Sequence, residues 1–292
     1  MTPSFERPAT LAEATQLLAG GRWALLAGGT DLYPAHVGRD IPVSLLDLSA
    51  VAGLRGIRAD GGGWTIGAMT TWSDLLRADL PPLFDGLKAA AREVGGVQIQ
   101  NTATLAGNVC NASPAADGIP ALLALDAEVR LQSERGERRL ALVDFVLGNR
   151  RTARRDDELL VALHIPGRSP AARSVFVKLG GRRYLVISIT MVAVSLDLDA
   201  VGRVGWAAVA VGSCGARAER LPALEARLLG RSPAALAGVV HAADLAPLTP
   251  IDDVRATAAY RLDATGVLLE RALRSLERAL RVPESAQQGK AP

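Results

Sequence analysis

Cysteine and aromatic residues are both scarce in this sequence, and each shortage excludes a class of protein. The two cysteines, Cys110 and Cys214, form no CxxC pair, which excludes a disulfide framework and indicates a reducing compartment. Two thiolates are too few for an iron–sulfur cluster, which takes about four, so we interpret both as small buried hydrophobic side chains. Aromatic residues are 4% of the chain, and its arginines are scattered among acids. Nucleic-acid binding, which needs a basic stripe with aromatic platforms, is therefore excluded.

The motifs of common enzyme classes are missing as well. No GxGxxG follows a predicted strand, and the one Gly-Lys pair, at residues 289–290, is not followed by serine or threonine. The segment 212–215, GSCG, is one residue short of a nucleophile elbow. HExxH is absent, and no ligand spacing relates the three histidines, His36, His164 and His241. The sequence therefore predicts no catalytic residue and no metal site.

Long hydrophobic runs are also absent. No apolar stretch approaches the ~20 residues of a membrane span, and the start, MTPSFERPATLAEA, lacks the basic and apolar regions of a signal peptide. We therefore expect a cytoplasmic protein without a membrane span. A length of 292 residues is enough for two domains with sizeable cores. The run PGRSP at residues 166–170 is the best candidate for the boundary between them.

Hydrophobic periodicity and turn residues predict the secondary structure. Thr10 and Glu13 form a capping box for a helix over residues 10–19, which Gly20 ends. Other predicted helices begin at Ser73 and cover 83–94 and 253–280, and predicted strands cover 23–27, 43–46, 64–68, 128–132, 138–141, 159–165, 174–179, 187–197 and 203–211. Residues 101–120 are rich in Gly, Asn, Ser, Thr and Ala and predict a long loop, which inside a compact domain is usually functional.

Two glycine-rich segments are candidates for ligand binding. The first, LLAGGTDLY at residues 25–33, has glycines that let backbone N–H groups approach an anion, and Thr30 adds a hydroxyl. The alternative is a tight turn that binds nothing. The second, TATLAGNVCNASPAADGIP at residues 102–120, suits either a backbone wrapped around a phosphate-bearing ligand or a surface loop. Two anion cradles in one domain favour a dinucleotide bound without a Rossmann motif.

The order and spacing of several short motifs resemble a known family. FERPATLAEATQLL, LAGGTDL, IGAMTTWSDL, TLAGNVCNASPAADGIPALLALDAEV and LLVALHIP follow one another in a way that resembles the FAD-binding (medium) subunit of the xanthine dehydrogenase and carbon monoxide dehydrogenase family of molybdenum hydroxylases. FVKLGGRRYLVIS and DDVRATAAYRLDATGVLLERAL resemble that family's C-terminal flavoprotein domain. The resemblance covers nearly the whole chain, and the combination is far more specific than any one motif.

This resemblance implies an α+β fold in two domains. Residues 1–168 would form a two-part FAD-binding domain of the vanillyl-alcohol-oxidase-like (PCMH) type, with α/β lobes at about 1–55 and 56–168. Residues 169–283 would form a smaller α+β C-terminal domain with a three-stranded antiparallel sheet and helices. Residues 284–292 would form a disordered tail.

The resemblance also implies which residues surround FAD. Residues 25–32 would wrap the pyrophosphate through backbone donors, and Thr104, Gly107 and Asn108 would continue the cradle. The full set of implied cofactor-binding residues is Leu25, Leu26, Ala27, Gly28, Gly29, Thr30, Asp31, Leu32, Thr104, Gly107, Asn108, Asp117, Leu160 and Lys178.

Four of these residues carry a more particular expectation. Asp117 would bond the adenosine side of FAD, the alternative being an Asx-turn in a loop. Leu160 would line the adenine pocket. Lys178 would lie near the cofactor, the alternative being a surface lysine on a strand. For Asp31 we favour a turn or cap role, because a carboxylate facing the pyrophosphate would be repelled.

Two positions depart from the family pattern. Ala106 stands where the family often has a first glycine, so the backbone path shifts slightly, but FAD binding should survive one methyl group. The segment RRYLVIS at residues 182–188 lacks an acidic residue that many relatives have after the paired arginines, and the role of that acid is open.

The implied function is electron transfer. The organic substrate would be hydroxylated at a molybdenum cofactor on a large subunit, and electrons would pass through [2Fe–2S] clusters on a small subunit to FAD on this chain, then to an external acceptor. The assembly would be a heterotrimer or a dimer of heterotrimers. The alternatives are a self-sufficient flavin oxidase of the same fold and a flavin-less scaffold subunit.

An apolar patch around Trp72, Val97 and Ile99 would dock the cluster subunit, unless these residues are simply core.

Overall fold

The computed structural model describes residues 3–281, so the tail expected at 284–292 lies outside the described residues. The helices are α1 Leu11–Gly20, α2 Trp72–Arg77, α3 Asp85–Glu93, α4 Val97–Thr102, α5 Leu105–Asn111, α6 Gly118–Leu123, α7 Leu142–Phe145, α8 Pro222–Leu228 and α9 Ala258–Arg281. The strands are β1 Phe5–Glu6, β2 Ala24–Leu26, β3 Leu45–Asp47, β4 Ile57–Asp60, β5 Gly63–Gly67, β6 Glu128–Ser133, β7 Gly136–Ala141, β8 Val146–Gly148, β9 Arg151–Thr152, β10 Leu159–Pro166, β11 Arg173–Gly180, β12 Ser188–Leu198, β13 Val204–Gly212 and β14 Glu219–Arg220.

The described chain divides into two compact units, and neither is a single continuous stretch. The first unit comprises 3–78, Ala91–Ser113 and Asp126–Gly167. The second comprises Asp79–Ala90, Pro114–Leu125 and 168–281. Two stretches that precede residue 168 in the chain therefore belong to the second unit.

The first unit contains a parallel sheet, ordered β1–β3–β2, and an antiparallel sheet, ordered β4–β5–β10–β6–β7. Helix α1 begins as predicted, because the Thr10 hydroxyl accepts from the Glu13 N–H and the Glu13 carboxylate accepts from the Thr10 N–H. Its buried face, Ala14 and Leu18, packs in one cluster with Leu46 of β3. This packing fixes β2, and therefore the loop that follows β2, against the rest of the unit.

The prediction of a long loop over 101–120 is wrong, because most of this segment is helical. Helix α5 begins where the Thr104 hydroxyl accepts from the Gly107 N–H at 3.0 Å, and it ends at Ala112, whose φ of 48° is left-handed. Its apolar pair, Leu105 and Val109, is fully buried. Helices of six or seven residues are too short to show a periodic pattern and take their stability from such tertiary burial, so composition alone misassigns them.

The second unit is built on an antiparallel sheet ordered β11–β12–β13–β14, which confirms the three predicted strands and adds the short β14. Helix α9 packs on this sheet through a buried row that includes Leu269, Ala272 and Leu276. The helix begins at Ala258 and not at 253 as predicted. The reason is that the Asp253 carboxylate accepts from the N–H groups of Arg255 and Ala256, which holds a turn in place of a helical start.

Glu158, immediately before β10, is a buried carboxylate whose contribution to stability can be tested. Its side chain is 3% exposed and accepts two hydrogen bonds from Arg138 of β7 and one from the Arg155 N–H. Burial opposes its ionisation, but these hydrogen bonds outweigh burial and lower the pKa of Glu158 below 4.5. A carboxyl whose pKa is lowered by folding stabilises above its unfolded pKa and loses that contribution as the pH falls through the folded one.

We therefore expect Glu158→Gln to lower the free energy of unfolding at pH 7 by ~2 kcal/mol, with the difference from wild type shrinking below about pH 4.5. Urea unfolding across that pH range measures both effects. The matched control is Glu137→Gln on the same sheet, since Glu137 is 32% exposed and pairs at the surface, where such pairs contribute at most ~1 kcal/mol. Equal losses for the two variants would contradict the prediction.

Among residues 3–281, no helix combines the length and the apolar character needed to cross a bilayer.

Candidate functional site

The first unit contains a cleft of about 550 Å³ that brings the two glycine-rich segments together. One wall is the loop after β2, the opposite wall is α5 with the residues before it, and the start of β10 closes an end. The residues that line the cleft include all of those predicted in this unit, namely Leu25, Leu26, Ala27, Gly28, Gly29, Thr30, Asp31, Leu32, Thr104, Gly107, Asn108 and Leu160.

The loop after β2 depends on its two glycines for different reasons. A Cβ on Gly28 would lie 2.1 Å from the carbonyl oxygen of Thr102 and 2.7 Å from its carbonyl carbon, so only glycine lets the loop contact the end of α4. Gly29 has a φ of 68°, in the left-handed region that other residues rarely adopt. The Gly-Gly pair is therefore required both for the contact between the two segments and for the shape of the loop.

The same loop presents unused backbone donors. The next N–H, that of Tyr33, bonds to the Gly29 carbonyl at 3.0 Å. The N–H groups of residues 28–32, in contrast, have no hydrogen-bond acceptor within residues 3–281. Successive backbone N–H groups of this kind form a concave site for an anion.

Two residues that line the cleft carry buried polar atoms without hydrogen-bond partners. Asn108 Oδ1, an acceptor, and Trp72 Nε1, a donor, are buried and make no hydrogen bond within the described chain. Both residues line the cleft. Most buried polar atoms are hydrogen-bonded, so two orphaned atoms beside one cleft indicate that a polar ligand belongs there.

One end of the cleft is apolar. Leu160 is buried, and it lines the cleft together with Leu159, Leu48 and Met69. An apolar wall next to a row of backbone donors suits a ligand that has a flat apolar part and an anionic part.

Asp117 and Lys178 belong to the second unit, where they bind one another. The Lys178 ammonium donates to the Asp117 carboxylate at 2.9 Å, and their side chains are only 6% and 10% exposed. The Ser188 hydroxyl donates to the other carboxylate oxygen, also at 2.9 Å. Asp117 precedes α6 but makes no cap bond to it. Lys178 is therefore not the surface lysine of the alternative, because its side chain is buried. Asp117 does not fit an Asx-turn, because its carboxylate is bound by residues far from it in the chain.

The side chain of Asp31 does not have the turn or cap role that we favoured. Its two carboxylate oxygens accept from Nη1 and Nη2 of Arg150, at 2.8 and 3.0 Å. This hydrogen bonding, and then the charge of Asp31, raise the pKa of Arg150 above its ordinary value.

Arg150 and Arg154 both line the cleft, and neither was predicted from the sequence. The run NRRTARR at residues 149–155 was the available signal, because four arginines in seven residues favour an anion nearby.

The two cysteines differ in their surroundings. Cys214 is buried as predicted, with its sulfur 3.3 Å from the Thr190 hydroxyl and 3.4 Å from the Thr265 hydroxyl. Cys110 is only partly buried, because it lines the cleft, so the prediction is wrong for this residue. Loss of solvent around the thiol still raises the pKa of Cys110 to about 11. At neutral pH it is therefore a thiol with little nucleophilic character.

The apolar patch predicted around Trp72 exists only in part. Trp72 is fully buried, so for this residue the core alternative is correct. Val97 and Ile99 on α4 are 60% and 38% exposed. What remains is a pair of exposed aliphatic side chains, of which Ile99 also lines the cleft.

A larger cavity, of about 890 Å³, lies along α9 in the second unit. The carboxylate of Glu270, which lines it, already accepts from the N–H groups of Gly238 and Val240. It contains none of the glycine-rich segments, and its rim includes the exposed cations Arg271 and Arg274. Among the described residues, no group of three or more His, Cys, Asp or Glu side chains is arranged to hold a metal ion. The cleft of the first unit is therefore the candidate site.

Comparison with known proteins agrees with this geometry. Residues 2–168 match the family described as the FAD binding domain in molybdopterin dehydrogenase. The chain belongs to this family. Residues 176–276 match the CO dehydrogenase flavoprotein C-terminal domain. Together the matches confirm the predicted two-domain α+β fold.

Individual relatives show the same relationship. The xanthine dehydrogenase FAD-binding subunit of Escherichia coli O157:H7 is 40% identical over 56% of this chain and 57% of that protein, so the alignment spans little more than half of the relative. The carbon monoxide dehydrogenase medium chain of Hydrogenophaga pseudoflava is 30% identical over 93% of this chain and 96% of that chain. A solved chain of the reconstituted CO dehydrogenase from Oligotropha carboxidovorans superposes with a TM-score of 0.85, at 28% identity, covering 96% of this chain and all of the other.

The cleft fits FAD, the group named in the description of the family. FAD combines a diphosphate, which backbone N–H groups can bind, with two flat ring systems that require apolar walls. The unused N–H groups of residues 28–32 and the orphaned atoms of Asn108 and Trp72 would supply polar contacts to such a group. The apolar wall at Leu160 would pack against a flat ring.

Proposed function

We propose that this chain holds FAD as the electron-transfer subunit of a molybdenum-containing hydroxylase or dehydrogenase, and that it passes electrons from [2Fe–2S] clusters on a partner subunit to an external acceptor. The observation that carries the proposal is the row of unused backbone donors at residues 28–32, in a loop that Gly28 holds against the backbone of Thr102. Successive free N–H groups in a loop that lines a cleft form an arrangement that binds anions.

Each group of predicted residues would have a separate task toward FAD. Residues 25–32 would bind the diphosphate through backbone N–H groups, and Thr104, Gly107 and Asn108 would continue the cradle across the cleft. Leu160 would pack against the adenine. Of the buried ion pair, Asp117 would bond the adenosine side and Lys178 would lie near the cofactor.

When bound, FAD supplies two-electron redox chemistry through its isoalloxazine ring. The chain's own residues would bind and orient the cofactor. The organic substrate would react at a molybdenum cofactor on a large subunit, and the [2Fe–2S] clusters would lie on a small subunit. We propose a heterotrimer or a dimer of heterotrimers in the cytoplasm, with a FAD-binding domain at 1–168 and a C-terminal flavoprotein domain at 169–283.

The direct test is the visible spectrum of the purified chain, followed by release and chromatography of any yellow cofactor. Stoichiometric FAD would support the proposal. A folded, colourless chain that takes up no added FAD would overturn it and favour a scaffold subunit. Reduction of the bound flavin by an organic substrate in the absence of any partner would favour a self-sufficient oxidase instead.

Asn108 allows a sharper prediction about the cradle. Asn108→Ala removes the buried, unpartnered Oδ1 that we assign to the ligand, so we expect FAD binding to weaken about 10-fold. The measurement is a titration of the apoprotein with FAD. Asn149→Ala, at an exposed position outside the cleft, should bind FAD as wild type does. An unchanged affinity in Asn108→Ala would remove Asn108 from the site.

A further inference from the structure

Arg150 connects the two segments that form the cleft. Its guanidinium donates in a bidentate manner to Asp31, which lies in the loop after β2. Its own N–H donates at 3.3 Å to the carbonyl of Ala112, the residue that ends α5. One residue therefore contacts the loop through its side chain and the helix of the opposite wall through its backbone.

The backbone at this connection adopts an uncommon conformation. Arg150 and Ala112 have φ values of 54° and 48°, and neither is glycine. Left-handed conformations of this kind persist where the surrounding structure requires them, and they concentrate at ligand-binding sites. The backbone conformation of Arg150 is therefore set by its surroundings.

The Asp31 carboxylate would repel an anionic ligand, and the Arg150 guanidinium offsets that negative charge. Asp31 lies among the unused N–H groups of residues 28–32, and an uncompensated carboxylate there would repel a diphosphate. A bidentate guanidinium is the strongest side-chain partner for a carboxylate. The two side chains are 62% and 49% exposed, and exposed ion pairs contribute little to folding stability. A purely structural role therefore leaves this pair unexplained.

We propose that Arg150 is a positioning residue for the cofactor's diphosphate, because it cancels the charge of Asp31 within the donor loop. This inference rests on the proposed function and deepens it. Arg150 acts through Asp31, so its effect requires the carboxylate to be present. This dependence distinguishes positioning from direct contact with the diphosphate.

The test is a double-mutant cycle with FAD binding as the readout. The variants are Arg150→Gln, Asp31→Asn and the double variant, with Arg151→Gln as the control that removes one positive charge from an exposed neighbour outside the cleft. Each apoprotein is titrated with FAD, and binding is followed by the change in flavin fluorescence. The melting temperature of each apoprotein reports folding separately.

We expect Arg150→Gln to weaken FAD binding about 10- to 100-fold, because the charge of Asp31 is then uncompensated. Asp31→Asn alone should change the affinity by less than about 5-fold. The double variant should recover most of the loss, since the repelling charge is gone. Arg151→Gln should bind as wild type does, and all four apoproteins should melt close to the wild type because the pair is exposed.

Two outcomes would overturn the inference while leaving the proposed function intact. Wild-type affinity in Arg150→Gln would show that the arginine has no role in binding. A double variant as weak as Arg150→Gln would show that Arg150 acts independently of Asp31. A wild-type chain that takes up no FAD at all would instead overturn the proposed function, and this inference with it.

Discussion

Gly28→Ala should yield a chain that purifies without flavin and binds added FAD about 100-fold more weakly than wild type. The added Cβ would lie 2.1 Å from the Thr102 carbonyl oxygen and 3.0 Å from the Ala103 Cα. Both are backbone atoms, so no side chain can rotate away, and the loop must separate from the end of α4. That separation moves the unused donors of residues 28–32 away from α5.

The measurement is the ratio of flavin to protein absorbance after purification, together with a FAD titration of the apoprotein. Gly61→Ala is the matched control, because a Cβ at Gly61 would meet no atom within 4 Å. Far-ultraviolet circular dichroism establishes that both variants are folded. If Gly28→Ala retains stoichiometric FAD, the diphosphate does not lie on this loop.

Lys178→Met should lower the free energy of unfolding by ~3–5 kcal/mol, since it removes the charge that offsets a buried carboxylate. Asp117 is only 10% exposed as a side chain, and Lys178 is 6% exposed. Methionine retains the apolar stem of lysine, so the change isolates the charge and not the packing. Urea unfolding of the apoprotein measures the effect without interference from the cofactor.

The double variant Asp117→Asn with Lys178→Met is the control for this prediction. With both charges removed, the amide oxygen introduced at position 117 can still accept from the Ser188 hydroxyl, which donates to Asp117 at 2.9 Å in the wild type. We therefore expect the double variant to be more stable than Lys178→Met alone by at least ~1 kcal/mol. Losses that simply add would show that the two side chains do not stabilise one another.

Local patterns in the sequence were sufficient for much of the fold. The capping box of Thr10 and Glu13 and the strands β11 to β13 each depend on residues close together in the chain. For this reason they can be identified from spacing and residue type. The glycine pair at 28–29 belongs to the same class, because consecutive glycines after a strand indicate a tight backbone turn wherever they occur.

The pairings in and around the site depend on the tertiary structure instead. Arg150 and Asp31 are 119 residues apart in the chain, and Asp117 and Lys178 are 61 apart. No spacing rule relates such residues. From the sequence, Lys178 could be a surface lysine and Asp117 an Asx-turn residue, and a turn or cap role was favoured for Asp31. In the fold all three residues form ion pairs. The helices between 97 and 111 were missed for a related reason, since their stability comes from burial against other segments.

The sequence by itself determined the class of fold, the two glycine-rich segments and the family to which the chain belongs. Only the tertiary structure decided which donors remain unused, that Gly28 contacts the backbone of Thr102, and that Arg150 holds Asp31. The physical reason is the range of the interactions. Caps, turns and strand periodicity are local, whereas the charge balance and the close contacts of a binding cleft arise when distant segments pack together.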